Sequence, residues 1–302
     1  MNSQELPEVS VIMPTFNRED FIDEAVSSVL SQTFQNFELI IVDDGSTDNT
    51  KNKITPYLDD RCTYYNLGHQ GNVSRLRNFG LQNAKGVYIA YLDSDDVWEK
   101  DKLKEQVQTL QANGNVGLVF TNVIEFQRDV IFEKDLYKNL KNHHEVSFKD
   151  LLSNKLAVYP SSILYRKTCL IRVGKHDEFF LWNDLGFITR LIAYHGAIFI
   201  SKKLTRIRKH NNNISVVLKN EAVGYRDMIK TIELLHNENF ISHDEYLGMS
   251  AHFFYSMANM YAYEKEFSKA SDAYRKAIKF NPKLTKAWIH YFVTEMRRVF
   301  IV

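Results

Sequence analysis

Three carboxylates fall within four residues at Asp93, Asp95 and Asp96, directly after the run Val87-Tyr88-Ile89-Ala90-Tyr91-Leu92. A β-branched and aromatic run of this kind suits a buried strand. Like charges at its mouth repel, so they must be solvated, cap a helix starting near Trp98, or be neutralised by a cation. A hard divalent ion takes oxygen ligands and shares them with substrate phosphates. A second acidic cluster, Asp43-Asp44-Gly45-Ser46-Thr47-Asp48, closes another apolar run, Phe37 to Val42. Acids at the ends of two buried strands could hold a metal, a phosphate-bound metal or a hydrogen-bond donor of a ligand.

The segments around them alternate. Val9 to Met13 reads as a strand broken by Pro14-Thr15-Phe16-Asn17, and Phe21, Ile22, Ala25, Val26, Val29 and Leu30 share one helical face. Residues 48–58 can form a helix, Thr63 to Asn66 a weaker strand, and residues 73–83 another helix. A helix from about Glu99 to Ala112 and a strand from Val116 to Phe126 follow. This strand–helix alternation predicts an α/β fold, a mostly parallel sheet with helices on both faces. Ligands of such sheets bind beyond the carboxyl ends of the strands, which is where both acidic clusters fall. Residues 127–147 read as a long polar loop. Phe148 to Leu152 starts a short helix, Val158 to Arg166 is a strand broken at Pro160-Ser161-Ser162, and residues 185–193 are helical. Ala197 to Ser201 and Leu204 to Arg208 read as two short strands, followed by a polar loop with His210.

From about Lys219 onward only helical patterns remain, so residues 1–218 form one expected domain and 219–302 an all-α extension. Phe254, Met257, Ala258, Tyr261, Ala270, Tyr274, Ala277 and Pro282 fit the spacing of one tetratricopeptide-like hairpin or of an ordinary helical hairpin. A single such unit must lean on a neighbour. In the last segment Trp288, Tyr291, Phe292, Phe300 and Ile301 lie among Lys283, Lys286, Arg297 and Arg298. That mixture suits packing on the hairpin, contact with a protein partner, or peripheral contact with an anionic membrane.

The chain of 302 residues is 44% hydrophobic, enough for a sizeable core. Its formal charge of +1 argues against a nucleic-acid binder. Two distant cysteines suggest no disulfide framework and fit a reducing compartment. No basic, apolar leader is visible, and no apolar run reaches the roughly 20 residues of a membrane span, so a cytoplasmic location is expected.

Taken together, Val9-Ser10-Val11-Ile12-Met13-Pro14-Thr15-Phe16-Asn17, Ser31-Gln32-Thr33-Phe34, Glu38 to Asp48, Gly71-Asn72-Val73-Ser74 with Arg77-Asn78, and Gly86 to Trp98 resemble the inverting glycosyltransferases of family 2. The likeness covers roughly residues 8–215 and implies the GT-A nucleotide-sugar fold. It implies that Pro14, Thr15, Asn17 and Asp44 line a nucleotide pocket, with Asp44 accepting from the base, and that Arg77 approaches the base or the diphosphate. Asp93-Ser94-Asp95 matches the family's Asp-X-Asp motif. Asp95 then ligates manganese or magnesium, Asp93 contacts ribose or metal, Ser94 lies with the donor, and His210 approaches the diphosphate or metal. Asp184 falls at the family's general base, which takes the proton of an acceptor hydroxyl. Asn183 stands where the family has Glu and Gly186 where another Asp is frequent, and both departures bear on the acceptor side. Ser161, Ser162, Trp182 and Asn183 fall in the acceptor-facing region. The implied substrates are a nucleotide sugar, of which a UDP-sugar is the first expectation, and a saccharide or lipid-linked glycan. A lipid-linked acceptor would add to the cytoplasmic expectation a peripheral position at the inner face of the plasma membrane.

Two other readings stay open at this point. A sugar nucleotidyltransferase would also combine a nucleotide-binding sheet with acidic metal ligands, but Met13 to Glu19 holds none of the glycines its phosphate loop would need. A non-catalytic scaffold that holds nucleotide and binds a partner through its helices is the third reading.

Overall fold

The computed structural model describes residues 6–128, 130–132, 137, 140–153, 156–178, 184–210 and 223–300. The chain divides into two compact units, Met1–His210 and Asn211–Val302. The expected boundary at 218/219 lies outside the described residues.

In the first unit the strands β1 (Val9–Thr15), β2 (Phe37–Asp43), β3 (Cys62–Asn66) and β4 (Tyr88–Tyr91) lie in the order β3-β2-β1-β4, all parallel. Beyond β4 the sheet continues through β9 (Ile163–Arg166), β6 (Leu118–Gln127), β10 (Ala197–Arg208) and β5 (Val97–Trp98). There β9 runs antiparallel between β4 and β6, while β6 and β10 pair in parallel. The mixed part of the sheet therefore begins at β9.

Alternation along the strands sorts their side chains between two layers of helices. Val9, Val11, Met13, Leu39, Ile41, Ala90 and Leu92 pack with α1 (Ile22–Leu30) and α4 (Lys102–Ala112). Ile12, Ile40, Val42, Ile89 and Tyr91 pack with α3 (Val73–Asn83) and α7 (Asp184–His195) on the other face. The fully buried Ile22, Val26 and Val29 anchor α1, at about 1.5–3 kcal/mol each for leaving water. On α3, Gly80 is required by close approach: a Cβ there would come within 2.4 Å of Ile12. Because Tyr91 faces α3 and α7, position 93 falls by alternation on that same side.

Several expectations change. Strand β1 continues through Pro14 to Thr15, paired with Val42 and Asp43. The helix expected from Glu99 starts at Lys102, after the two-residue β5. The expected loop 127–147 contains β7 (Val130–Phe132) and β8 (His144–Val146), which pair with β6 and β10. The two expected strands 197–201 and 204–208 are one strand, β10, with register shifts between Ile200 and Thr205. Pro160–Ser162 forms a 3-10 turn before β9.

The second unit comprises α8 (Val223–Asn237), α9 (His243–Tyr263), α10 (Phe267–Phe280) and α11 (Thr285–Phe300). Ser242 and Glu245 form a reciprocal capping box at the start of α9. Of the hairpin positions singled out in the sequence, Phe254, Met257, Ala258, Tyr261, Ala270, Tyr274 and Ala277 form the α9–α10 core, with Ala287 of α11 joining it, while Pro282 lies exposed after α10. The alanines let the helices approach closely.

Candidate active site

The pairings Thr15↔Asp43 and Ile12↔Tyr91 align the ends of β1, β2 and β4, so both acidic clusters emerge on one rim of the sheet. They are built differently.

At the end of β2 the Asp43 carboxylate accepts from the Ser46 N–H at 2.9 Å, the Ser46 hydroxyl at 2.7 Å and the Tyr64 hydroxyl at 2.6 Å. Burial and this bond push the Tyr64 phenol up. Gly45 makes the turn with φ +77°, and a Cβ there would lie 2.7 Å from the His69 nitrogen. Asp44 accepts the N–H groups of Gln70 at 2.6 Å and Gly71 at 3.0 Å. It does not cap the next helix; Asp48 accepts the Thr50 N–H at 3.0 Å there. An ionised carboxylate has about four acceptor sites, so Asp44 keeps capacity for a ligand donor. Its neighbour His69 lies 3.1 Å away and stacks on Phe16 with ring centroids 4.9 Å apart. Asn17, in the left-handed region at φ 50°, accepts the Thr47 N–H through Oδ1 at 2.8 Å, tying the β1 loop to the β2 loop. Pro14 and Thr15 are buried in β1, and Thr15 Oγ1 has no hydrogen-bond partner.

At the end of β4 the carboxylates meet cations. Arg77, projecting from α3 and 2% exposed, donates through Nη2 to Asp93 Oδ1 at 2.9 Å and through Nη1 to Asp184 Oδ1. Its guanidinium lies over the Tyr91 ring, 5.3 Å from the centroid, and its Nε has no hydrogen-bond partner. Its two acidic neighbours, one in the β4 loop and one at the first turn of α7, hold Arg77 between them. Burial pushes the Asp93 carboxyl up to about 6 despite Arg77, with Asp184 and Asp95 adding to the push. Asp93 keeps 35% of its side chain exposed, so solvent screens part of that effect.

Burial alone would raise Asp95 as well, but the hydrogen bond of His210 and the charge of Arg18 hold its carboxyl below the usual range. His210 Nε2 is 2.9 Å from Asp95 Oδ2, and Arg18 Nε is 3.4 Å from the same oxygen. Phe21 stacks on His210 at 4.7 Å. Asp96 is buried and its carboxyl is raised well above the usual range, chiefly by burial and by Asp95 and Asp93. It accepts from the Ser161 hydroxyl at 2.5 Å and the Arg208 N–H at 3.0 Å, so it caps no helix. Arg208 also donates from Nε to the Asp95 carbonyl at 2.8 Å and pairs with Glu24.

The acceptor-side expectations fare differently. Ser161 and Ser162 are both fully buried, with their hydroxyls on Asp96 and on the Tyr159 carbonyl at 2.7 Å, so neither faces an acceptor. Ser161 Oγ also accepts the Asp93 N–H at 3.1 Å, which makes it a brace for the acidic loop. Trp182 and Asn183 lie outside the described residues. Ser94 is buried within the loop. Sequence reasoning missed Arg18 and the Phe16–His69 stack, and it offered Asp96 as a cap or a cation ligand rather than as a buried acid held by Ser161 and the Arg208 N–H. None of them sits in a periodic pattern, and each acquires its neighbours only through the fold.

Among the described residues no group of three or more His, Cys, Asp or Glu side chains is placed to hold a metal ion. Asp95 and His210 offer two donors. One is a carboxylate oxygen and the other an imidazole nitrogen, and the two are hydrogen-bonded to each other; only the carboxylate is the oxygen ligand a hard cation takes beside substrate phosphates and water.

Residues 10–174 match the Glycosyl transferase family 2 domain. The chain belongs to that family and is a glycosyltransferase. It is 31% identical over 265 residues to GalNAc(5)-diNAcBac-PP-undecaprenol beta-1,3-glucosyltransferase of Campylobacter jejuni, covering 85% of this chain and 83% of that protein. It is 34% identical over 146 residues to the UDP-Glc:alpha-D-GlcNAc-diphosphoundecaprenol beta-1,3-glucosyltransferase WfgD of Escherichia coli, covering 48% of this chain and 55% of that one. Crystal structures of S. aureus TarS 1-349, free and in complex with UDP-GlcNAc, each superpose with a TM-score of 0.71. They cover 91% and 90% of this chain and 81% of theirs, at 21% and 20% identity, and this likeness concerns the fold.

Proposed function

We propose that the chain transfers a sugar, with inversion, from a UDP-sugar to a hydroxyl of a diphospholipid-linked saccharide, with Asp184 as general base. The observation that carries this reading is the single guanidinium of Arg77 between Asp93 and Asp184: it joins the Asp-X-Asp loop to the start of α7 across 91 residues of sequence. The donor-side acids and the candidate base thereby share one rim. The relatives' names support the substrate classes, both being undecaprenol-linked acceptors and one a UDP-Glc donor, and UDP-glucose is the first donor to try.

In this reading Asp44 accepts from the uracil imide beside the Phe16–His69 stack. Arg77 holds the Asp184 carboxylate toward the rim. Asp184 takes the proton of the acceptor hydroxyl as its oxygen bonds to the anomeric carbon. The bond from that carbon to the phosphate oxygen breaks on the opposite side, and UDP leaves with the electron pair. Asp95 and His210 would hold a magnesium or manganese ion together with the donor's phosphate oxygens. The chemistry such an ion supplies is to take up charge on the departing diphosphate.

The test is a panel of UDP-sugars incubated with the protein and magnesium or manganese, first alone and then with a diphospholipid-linked acceptor. Slow hydrolysis of one donor, accelerated by acceptor and abolished by EDTA, is the expected result. Tight binding of UDP and metal without turnover of any donor would favour the scaffold reading. Release of pyrophosphate from a nucleoside triphosphate and a sugar phosphate would favour nucleotidyl transfer.

A further inference from the structure

Helix α11 has two faces with different surroundings. Ala287 and Thr294 are buried, and Ala287 joins the core of α9 and α10. Another face is apolar and open. Trp288, Ile289, Phe292, Val293, Met296 and Val299 are between 36% and 62% exposed. At about 100° per residue they occupy one continuous arc of roughly 140°. Trp288 stacks on Phe292 at 6.0 Å, and its indole N–H donates to the Pro282 carbonyl at 3.0 Å, so the two rings present one apolar plate.

The charges beside this arc are nearly all of one sign. Lys283, Lys286, Arg297 and Arg298 stand against Glu295 as the only carboxylate from residue 283 to 300. Glu295 is already engaged by Ser271 and Arg298. By helical spacing Lys286 and Arg297 fall at one edge of the apolar arc, next to Val293, and Glu295, paired with Arg298, falls at the other edge, next to Trp288. A seam for one partner helix is narrower, whereas a broad apolar arc with cations along one edge suits a helix lying in a lipid headgroup region. No helix among the described residues is long and apolar enough to cross a membrane, so contact at the surface is the fitting mode. Aromatic and basic side chains together suit the headgroup level of an anionic leaflet.

We propose that α11 docks the chain on an anionic lipid surface, its apolar arc entering the acyl boundary and Lys286 and Arg297 meeting headgroup phosphates. This surface consists of α11 and its charges alone and is independent of the donor and acceptor proposed above.

The experiment is flotation of the full chain with vesicles of phosphatidylcholine alone or with about 30 mol% phosphatidylglycerol, at low and high salt. Wild type should float with the anionic vesicles and lose binding as salt rises. Trp288→Ser with Phe292→Ser should lower the bound fraction at least about tenfold. Lys286→Glu with Arg297→Glu should remove the preference for anionic vesicles, with about a tenfold loss on them. All four positions are exposed, so both variants should match wild type in thermal melting and in hydrolysis of the UDP-sugar donor, which separates this outcome from failure of the enzymatic reading. Wild type left at the bottom of the gradient with both vesicle types overturns the proposal, as do variants that float like wild type. A concentration-dependent dimer that Trp288→Ser with Phe292→Ser dissolves, without any flotation, assigns the face to a second copy and equally overturns it.

Discussion

The two acidic clusters share a rim and a residue type, yet they are stabilised by different chemistry. Asp43 and Asp44 accept backbone N–H groups and hydroxyls from their own loop and from residues 64–71, with His69 beside Asp44. Asp93, Asp95 and Asp96 meet Arg77, Arg18, His210 and the Arg208 backbone, contributed by segments far apart in sequence. Neutral donors can hold a carboxylate in place without fixing how its charge is balanced. Surrounding it with buried cations does both, and it makes the local charge sensitive to whatever binds there. The first cluster is suited to shaping a loop and recognising a neutral donor group. In the proposed function the second would meet the charged diphosphate through a bound metal ion.

The sharpest way to break this division is through Asp184. Asp184→Asn should lower transfer about 10³-fold, the range expected for loss of a general base, while UDP binding measured by calorimetry stays near wild type. Activity equal to wild type would remove Asp184 as the base and leave Arg77 joining two acids of the donor site only.

Arg77→Ala follows. It leaves Asp93 and Asp184 without their shared cation, and breaking a buried pair from one side costs about 3–5 kcal/mol. Denaturant unfolding should show that loss, and adding Asp93→Asn to Arg77→Ala should recover part of it, as a double-mutant cycle would measure. Additive effects in the cycle would mean the two side chains do not act on each other. Arg77→Lys should not restore wild-type behaviour, because one ammonium cannot place two donors on two carboxylates as a planar fork does.

The contrast also explains what could be read from the sequence. The strands, their order of appearance, the helix at residues 73–83 and the acidic motifs at 43–48 and 93–96 rest on local patterns, and local patterns are visible in one dimension. The partner of Arg77 was not, since a helix periodicity says which face is buried and not which carboxylates will meet a buried arginine. Ser161 and Ser162 sit in a polar-looking turn, and only packing shows that both are sealed inside. Val130, Ile131 and Phe132 form an exposed strand beside β6 that is held by backbone pairing, so no alternation of burial marks it. The exposed Ser201, Lys202 and Lys203 interrupt the apolar pattern of β10, although pairing with β6 resumes at Lys203 with Asn122 through shifts in register.

A smaller effect tests the first cluster. Asp44→Asn keeps a carbonyl oxygen for one of the two backbone N–H groups but changes what a bound base would find. The donor KM should rise about tenfold, the worth of one hydrogen bond to a charged group, with kcat little changed. A fall in kcat with unchanged KM would place Asp44 among the groups that act on the reacting bond and erase the division between the clusters.

The smallest effect concerns Lys102, a buried lysine near the second cluster with no ion pair to its acids among the described residues. It is fully buried, its ammonium 3.9 Å from the centroid of the Trp98 ring, and it donates to Gln106 Oε1 at 2.6 Å. Burial holds its pKa well below the ordinary lysine range. The unfolded chain therefore binds more protons than the folded one between the lowered folded pKa and the ordinary value near 10.4, so this residue makes stability rise with pH across that window. Lys102→Met should flatten that rise in denaturant unfolding measured from pH 6 to 9. Near neutral pH the net change should be only about 1 kcal/mol, because relief of the buried amine is offset by leaving Gln106 Oε1 without its donor. An unchanged slope would mean that Lys102 keeps its proton in the fold. The charge balance of the second cluster would then have to include it, and the boundary between the paired rim and its neutral support would move inward to Trp98.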